Sequence, residues 1–267
     1  MPEGDTILKA ARILDRALAG AIVTKFEPRT APSMRSLQAG AVSITKVEAA
    51  GKNLLMCFSD GFVLRTHLRM NGAWHLYRHG ERWRVPGHAV RLVIETVEWV
   101  AIAVNVPVAE WVRERDLVHH APVANLGPDV LNDPFDVDEV IRRARLQPDL
   151  AISEILLDQT VLAGVGNVFK SEVMFAARIS PHTAVAELSD DQLRLILAIT
   201  VKQMRANVSE YSVGRATTGR MNPAEKLWVY RRADLGCRVC GAAIEIRRTG
   251  PNARSTYWCP VCQPASP

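Results

Sequence analysis

Two sets of residues in this chain have the types and spacing to do chemistry, and the first is its opening, "MPEGDTILKAARILDRALAG". Pro2 is a small second residue of the kind that lets Met1 be trimmed, which would leave a secondary amine at the new terminus. An α-amino group titrates at about 7.7–8.0, so near neutral pH a useful fraction is uncharged and nucleophilic without burial of a lysine. Taken alone, these residues read more plainly as a frayed terminus with helix-start side chains.

The second set is four of the five cysteines: Cys237 and Cys240, then eighteen residues, then Cys259 and Cys262. That is the spacing of a closed four-thiolate zinc site. A cytosolic chain keeps such thiols reduced, and "GCRVCG" lacks the strand–helix context of a thioredoxin-like redox motif. With sulfur at all four positions no place is left for water, so the metal expected here is one structural Zn2+ and not a catalytic one; no organic cofactor is expected. Between the pairs, "AAIEIRRTGPNARSTYWCP" reads as a strand, a "TGPN" turn and a second strand, a hairpin from which Arg247, Arg248 and Arg254 project. Arginines on such a hairpin suit phosphate forks or a narrow DNA groove. The plainer alternative is a solvated basic hairpin that needs its metal to fold.

Both sets need elements to hold them. Ile7, Ala11, Leu14 and Leu18 form a helical stripe, so Pro2 and Glu3 sit just before a helix N-terminus, whose partial positive charge disfavours protonation of the amine. Short β-type runs follow: "AIVTKFE", "VSITKVEAA", "KNLLMCF", "FVLRTHLRM", "AVRLVIET" and "WVAIAVNV", with "SDG" at 59–61 as a hairpin signal. The first 120 residues therefore predict a β-sandwich or barrel flanked by one helix. The link "APVANLGPDVLNDP" leads to helical segments at 136–146, 150–158, 167–178 and 189–208. In "LAGVGNVFKSE", Gly164 and Gly166 permit a sharp turn with exposed N–H groups, and Asn167 is suited to cap the next helix. Such a turn is either a phosphate cradle or a plain helix–turn–helix corner.

At 267 residues, 48% hydrophobic and 23% charged, the chain has the bulk of an ordinary globular protein of two domains. It has no 18-residue apolar run and no basic-then-apolar leader, which predicts a cytosolic protein with no membrane partner. The net charge of +5 is uneven: from Thr200 onward eleven Lys/Arg face four Asp/Glu, a net +7, leaving −2 for the first 199 residues. A polyanion is the partner this suggests, nucleic acid first.

Six pieces in one order resemble the Fpg/Nei family of bifunctional DNA glycosylases, within it the endonuclease VIII-like branch: "PEG" at the start, "GKNLL", "THLRMNGAW", "LGPDVL", "LAGVGNVFKSE" and "RSTYWCPVCQ". The resemblance spans nearly the whole chain. It implies an α+β, two-domain fold: an N-terminal helix plus β-sandwich over 1–120, a linker over 121–132, a helix–two-turn–helix domain over 133–230, and a zinc-finger β-hairpin over 231–265. It also implies a monomer acting on damaged DNA in the bacterial cytosol, at the nucleoid. In such enzymes the Pro2 amine attacks the anomeric carbon of a damaged nucleoside, expels the base and holds the sugar as an iminium. Loss of the flanking phosphates by β,δ-elimination follows.

The resemblance carries further roles. Glu3 is implied as the general acid/base, and Lys52 as a cation on a β-turn that binds a phosphate near the lesion. Asn167 and Arg254 match residues that clamp phosphates on each side of the everted nucleotide. Met70 matches the wedge that fills the gap left by the flipped base. Asp129 matches a supporting carboxylate, and Glu172 an acidic residue of structural rather than catalytic character.

Two departures matter. The chain reads "PEGDT" where family members commonly continue with proline and a second glutamate, so Asp5 either replaces that carboxylate or caps the helix. No match exists to the second and third intercalating residues of Fpg-type enzymes, which favours oxidised pyrimidines over 8-oxoguanine. The alternatives are an Fpg-type 8-oxoguanine glycosylase and a non-catalytic zinc-finger sensor of damaged DNA.

Overall fold

A computed structural model describes residues 2–29, 34, 37–208, 214–220, 222–250 and 253–265. The chain divides into two compact units, Met1–Asn125 and Leu126–Pro267.

In the first unit, helix α1 (Gly4–Leu18) precedes eight strands: β1 (Lys25–Pro28), β2 (Ile44–Ala50), β3 (Asn53–Phe58), β4 (Phe62–His67), β5 (Ala73–Arg78), β6 (Val90–Glu95), β7 (Trp99–Val104) and β8 (Val108–Arg113). They form two antiparallel four-stranded sheets, ordered β1-β6-β7-β5 and β2-β3-β4-β8. The sandwich reading is therefore the right one of the two. Strands β5 and β8 complete the two sheets; their mixed sequences, "AWHLYR" and "VAEWVR", lack the continuous β-type texture of the other strands.

Alternation explains the packing. Leu54, Met56, Phe58 and Leu64 of one sheet and Leu92, Ile94, Ala101 and Ala103 of the other share one core, closed by Ile7, Ala11, Leu14 and Leu18 of α1. Trp111 packs against Phe26 and Phe58, with ring centroids 5.3 and 5.0 Å away. The outer face of β3 and β4 is covered too: Leu55, Cys57 and Val63 pack with Leu117 and Val123 from the segment after β8. That segment is a 3₁₀ stretch, Glu114–His119, and a helical turn, α2 (Ala121–Ala124). His119 and His120 thus lie on 3₁₀ backbone and its flank.

The second unit contains α3 (Val137–Arg145), α4 (Ile152–Ile155), α5 (Asn167–Ala177) and α6 (Asp190–Asn207), then the antiparallel pair β9 (Glu245–Thr249) and β10 (Arg254–Trp258). The predicted segment 150–158 shortens to α4 alone among helices. Asp136 caps α3 by accepting from the Glu139 N–H at 2.9 Å, and Ser189 with Gln192 forms a capping box on α6. Helix α5 is different in kind. Apart from Ala176 it is buried all along, because α6 packs on it from one side and β10 also packs on it. A helix buried all round shows no amphipathic stripe.

The "LGPDVL" motif lies alongside 159–163: the Gly127 N–H donates to Gln159 O at 2.8 Å and the Ala163 N–H to Pro128 O at 3.0 Å. A Cβ at Gly127 would sit 2.4 Å from Val161 O, so only glycine allows this approach.

Candidate active site and nucleic-acid interface

In the first unit, Glu3 is the N-cap residue of α1 and is fully buried, its carbonyl accepting from the Thr6 and Ile7 N–H groups at 2.9 and 3.0 Å. Pro2 is half-buried immediately before it. Because the stripe of α1 is sunk in the core, and Asp15 Oδ1 accepts from the Val47 N–H of β2 at 2.7 Å, the helix cannot shift without disturbing the sheet. The terminus is thus carried on a rigid element. Asp5 is buried within the first turn, next to Thr6, whose hydroxyl donates to it at 3.3 Å. It is not the cap, since that position belongs to Glu3.

Lys52 occupies the two-residue loop between β2 and β3, after Gly51 at φ 58°. A first loop residue of positive φ is what a tight two-residue hairpin of this hand needs. Behind the loop lies a polar network. The Asn53 amide donates to Ala50 O at 3.0 Å and to Pro122 O at 3.2 Å, and its Oδ1 accepts from Arg65 Nε at 3.0 Å. Arg65, itself buried, pairs with Glu110, which is also bonded to His120 Nε2 at 2.8 Å. These residues fix the base of the Lys52 loop. Sequence reading had no access to them, because each is an ordinary polar residue far in sequence from its partners.

Met70 stands on the tight turn after β4, 51% exposed. The Gly72 N–H closes that turn on Leu68 O at 2.8 Å, and the Arg69 N–H donates to His67 Nδ1 at 3.1 Å. To accept there, His67 must be neutral. Burial, then Arg69, Arg65 and Lys52, push its pKa down to about 4. A large apolar side chain held out to solvent on an ordered turn is available as a wedge.

In the second unit, Asn167 is the first residue of α5, and the cap is Gly166 rather than Asn167. Asn167 is 7% exposed, and its Oδ1 has no hydrogen-bond partner. Gln159 holds the glycine-rich turn before it, accepting from the Gly164 N–H at 3.1 Å and donating to Leu157 O and Val165 O at 2.9 and 3.1 Å. Asp129 is used locally, accepting from the Leu131 N–H at 3.0 Å.

Glu172 is fully buried and accepts from three consecutive backbone N–H groups, Trp228 at 2.7, Val229 at 2.9 and Tyr230 at 2.8 Å, and from the Thr217 hydroxyl. Its carboxylate is spent on tying the segment before the cysteines to α5. The segment after α6 is fastened at Thr217 by Glu172 and at Ala216 by Asn207, which bonds Ala216 O and N–H at 2.7 and 2.8 Å, and the Thr217 N–H donates to Lys226 O at 2.8 Å. Residues 209–213 and 221 lie outside the described residues.

The Sγ atoms of Cys237, Cys240, Cys259 and Cys262 lie within 4.8 Å of one another, with 3.4 Å between Cys240 and Cys259 and 3.9 Å between Cys237 and Cys262. A tetrahedral ion with sulfurs at about 2.3 Å needs them about 3.8 Å apart, so the cluster fits one. The N–H groups of Val239 and Cys262 point at Cys237 and Cys259 sulfurs, 3.5 and 3.4 Å away. Gln263 docks the cluster on the helices, accepting from the Cys259 N–H at 3.0 Å and donating to Ile179 O at 2.9 Å. Arg247, Arg248 and Arg254 are exposed on the hairpin as expected; of its "TGPN" turn, Pro251 and Asn252 lie outside the described residues. This is the one metal-type cluster among the described residues. His75 and His79, four apart, belong to β5 and its end, where that spacing spans about 13 Å rather than one helical turn.

Residues 1–104 match the formamidopyrimidine-DNA glycosylase N-terminal domain, and residues 126–217 the H2TH domain of the same glycosylase. A probable endonuclease 8 2 of Streptomyces coelicolor is 35% identical, covering 98% of this chain and 94% of the relative. The DNA-(apurinic or apyrimidinic site) lyase Nei2 of Mycolicibacterium smegmatis is 35% identical with both chains fully covered, and endonuclease 8 of Escherichia coli is 29% identical over 98% of this chain. Among solved structures, formamidopyrimidine-DNA glycosylase of Lactococcus lactis, bound to DNA containing an AP site, superposes with a TM-score of 0.82 over 98% of this chain and 99% of the other, at 22% identity.

Proposed function

This chain belongs to the Fpg/Nei family of DNA glycosylases, and from that membership we propose that it is a bifunctional DNA glycosylase and abasic-site lyase of base excision repair. The observation that carries the reading is full-length identity to endonuclease 8 and Nei2 relatives, in a chain whose Pro2 and Glu3 lead directly into a helix packed in the core. After loss of Met1, the Pro2 nitrogen attacks C1′ of the damaged nucleoside. Glu3 supplies the proton for sugar opening, the C–N bond to the base breaks, and a cationic iminium remains as the electron sink for β- and then δ-elimination. Glu3 moves protons again in the elimination.

Lys52, Asn167 and Arg254 are assigned to phosphates, Met70 to the gap in the stack, Asp129 to support of its turn and Glu172 to the fold. Helices up to residue 230 and the finger from 231 act as two parts of the DNA-binding half. The cysteine cluster holds one structural Zn2+, whose chemistry when bound is to staple the hairpin. Oxidised pyrimidines are the favoured substrates, and the enzyme works as a monomer in the bacterial cytosol.

Borohydride reduction during reaction with abasic-site DNA tests this. A covalent adduct mapping to Pro2 is expected, and an N-terminal tag that blocks the amine should abolish it. A tagged protein that traps equally well removes Pro2 from the mechanism; no adduct with any form, alongside selective binding, leaves a damage sensor.

A further inference from the structure

Lys170 is a lysine with 0% exposure in the middle of α5. Its Nζ donates to Ser255 O at 3.1 Å and to Thr256 Oγ1 at 2.7 Å, both on β10 and directly after Arg254. The next residue, Ser171, does the same work with a hydroxyl: it donates to Asn167 O at 3.2 Å and accepts from the Tyr257 N–H at 3.4 Å. Ser255 and Tyr257 alternate along the strand, so their backbone groups lie on one edge of β10, the edge that β9 leaves free. A two-stranded hairpin is marginal by itself and has no fixed position without outside contacts.

We infer that Lys170 is a positioning residue: with Ser171 it locks the free edge of β10 to the first turns of α5 and so fixes Arg254 relative to Asn167. The two residues assigned to phosphates sit at the two ends of this link. Asn167 begins the helix, Lys170 is one turn along the same face, and Arg254 shares a strand face with Thr256. Burying an ammonium is costly unless its hydrogen bonds are made, so the two acceptors on β10 tie the strand to the buried Nζ. Phosphates along a DNA strand are regularly spaced, and two clamps of fixed separation select that spacing without ordering anything at the moment of binding. This rests on the assignment of Arg254 and Asn167 to phosphates, and the experiment separates the two.

Binding of the full zinc-loaded chain to an uncleavable tetrahydrofuran abasic duplex is measured across a salt series for the wild type, Lys170→Met, Arg254→Ala and the double variant. Lys170→Met should retain its zinc, bind about tenfold more weakly and lose about one unit of slope in log Kd against log salt, the mark of one phosphate contact. The double variant should be no weaker than Arg254→Ala, because a misplaced arginine and a missing one are equivalent. Lys170→Arg should recover part of the loss. Additive losses, or Lys170→Met with wild-type affinity and slope, overturn the inference. Should Lys170→Met lose its metal, Thr256→Val removes one acceptor at equal size, and full affinity and slope there overturn it as well. Wild-type binding by Arg254→Ala would instead withdraw the assignment of Arg254, and the inference with it.

Discussion

In the role proposed for it, Met70 would set specificity without making a hydrogen bond. It is half-exposed on a turn closed by Gly72 and His67, a position that gains nothing from the core and is available to replace a base in the stack. Met70→Leu keeps the apolar bulk and should stay within about twofold of wild type in single-turnover excision of thymine glycol. Met70→Ala leaves the unstacking energy of a few kcal/mol partly uncompensated, and excision should fall by about tenfold or more. Cleavage of a preformed abasic site has no base to extrude and should fall much less. A uniform drop on both substrates would make Met70 a packing residue, and faster release of 8-oxoguanine than of pyrimidines by the wild type would place the enzyme with the Fpg branch. The exposure of Met70 was legible from "RMNG" after a strand; the neutral histidine beneath its turn was not, because only the fold brings Arg65, Arg69 and Lys52 around His67.

Element by element, legibility follows the rule that local patterns show and long-range partners do not. The stripe of α1, the "SDG" loop and the cysteine pairs are periodic or tightly spaced, and each was readable. Helix α5 has no stripe, so its central place in the second unit was hidden although its sequence was recognised. Asn167 resembled a cap because its residue type is a capping type, yet Gly166 takes that place. Glu172 gives the test at this scale. Its two oxygens accept four hydrogen bonds from 217 and 228–230, and Glu172→Gln turns one oxygen into a donor facing donors. Unfolding by urea should show a loss of about 3 kcal/mol, of the order expected for charge-assisted bonds broken in a buried site. Loss of turnover at unchanged stability would instead make Glu172 a reacting group.

At the scale of the molecule, each unit has its own hydrophobic core, one between the two sheets and one among the helices, and the cysteine cluster belongs to the second. Metal removal should therefore be felt by one half only. Chelation is expected to expose Trp258, which packs edge-on to His182, and to lower DNA affinity at least tenfold, while the melting of the β-sandwich is unchanged. Stripped protein with unchanged affinity would make the finger dispensable for binding. The charge of this second unit is also divided: residues 126–199 carry six Lys/Arg and twelve Asp/Glu, whereas eleven Lys/Arg against four Asp/Glu follow from Thr200 onward. Asp136, Asp138 and Glu139 lie at the start of α3 and Asp190 and Asp191 at the start of α6, whereas Arg247, Arg248 and Arg254 stand on the β9–β10 hairpin. Within a Debye length of a polyanion, about 8 Å at physiological salt, the basic hairpin is drawn in and the acidic helix starts are pushed away, so association with DNA is expected to slow steeply as salt rises.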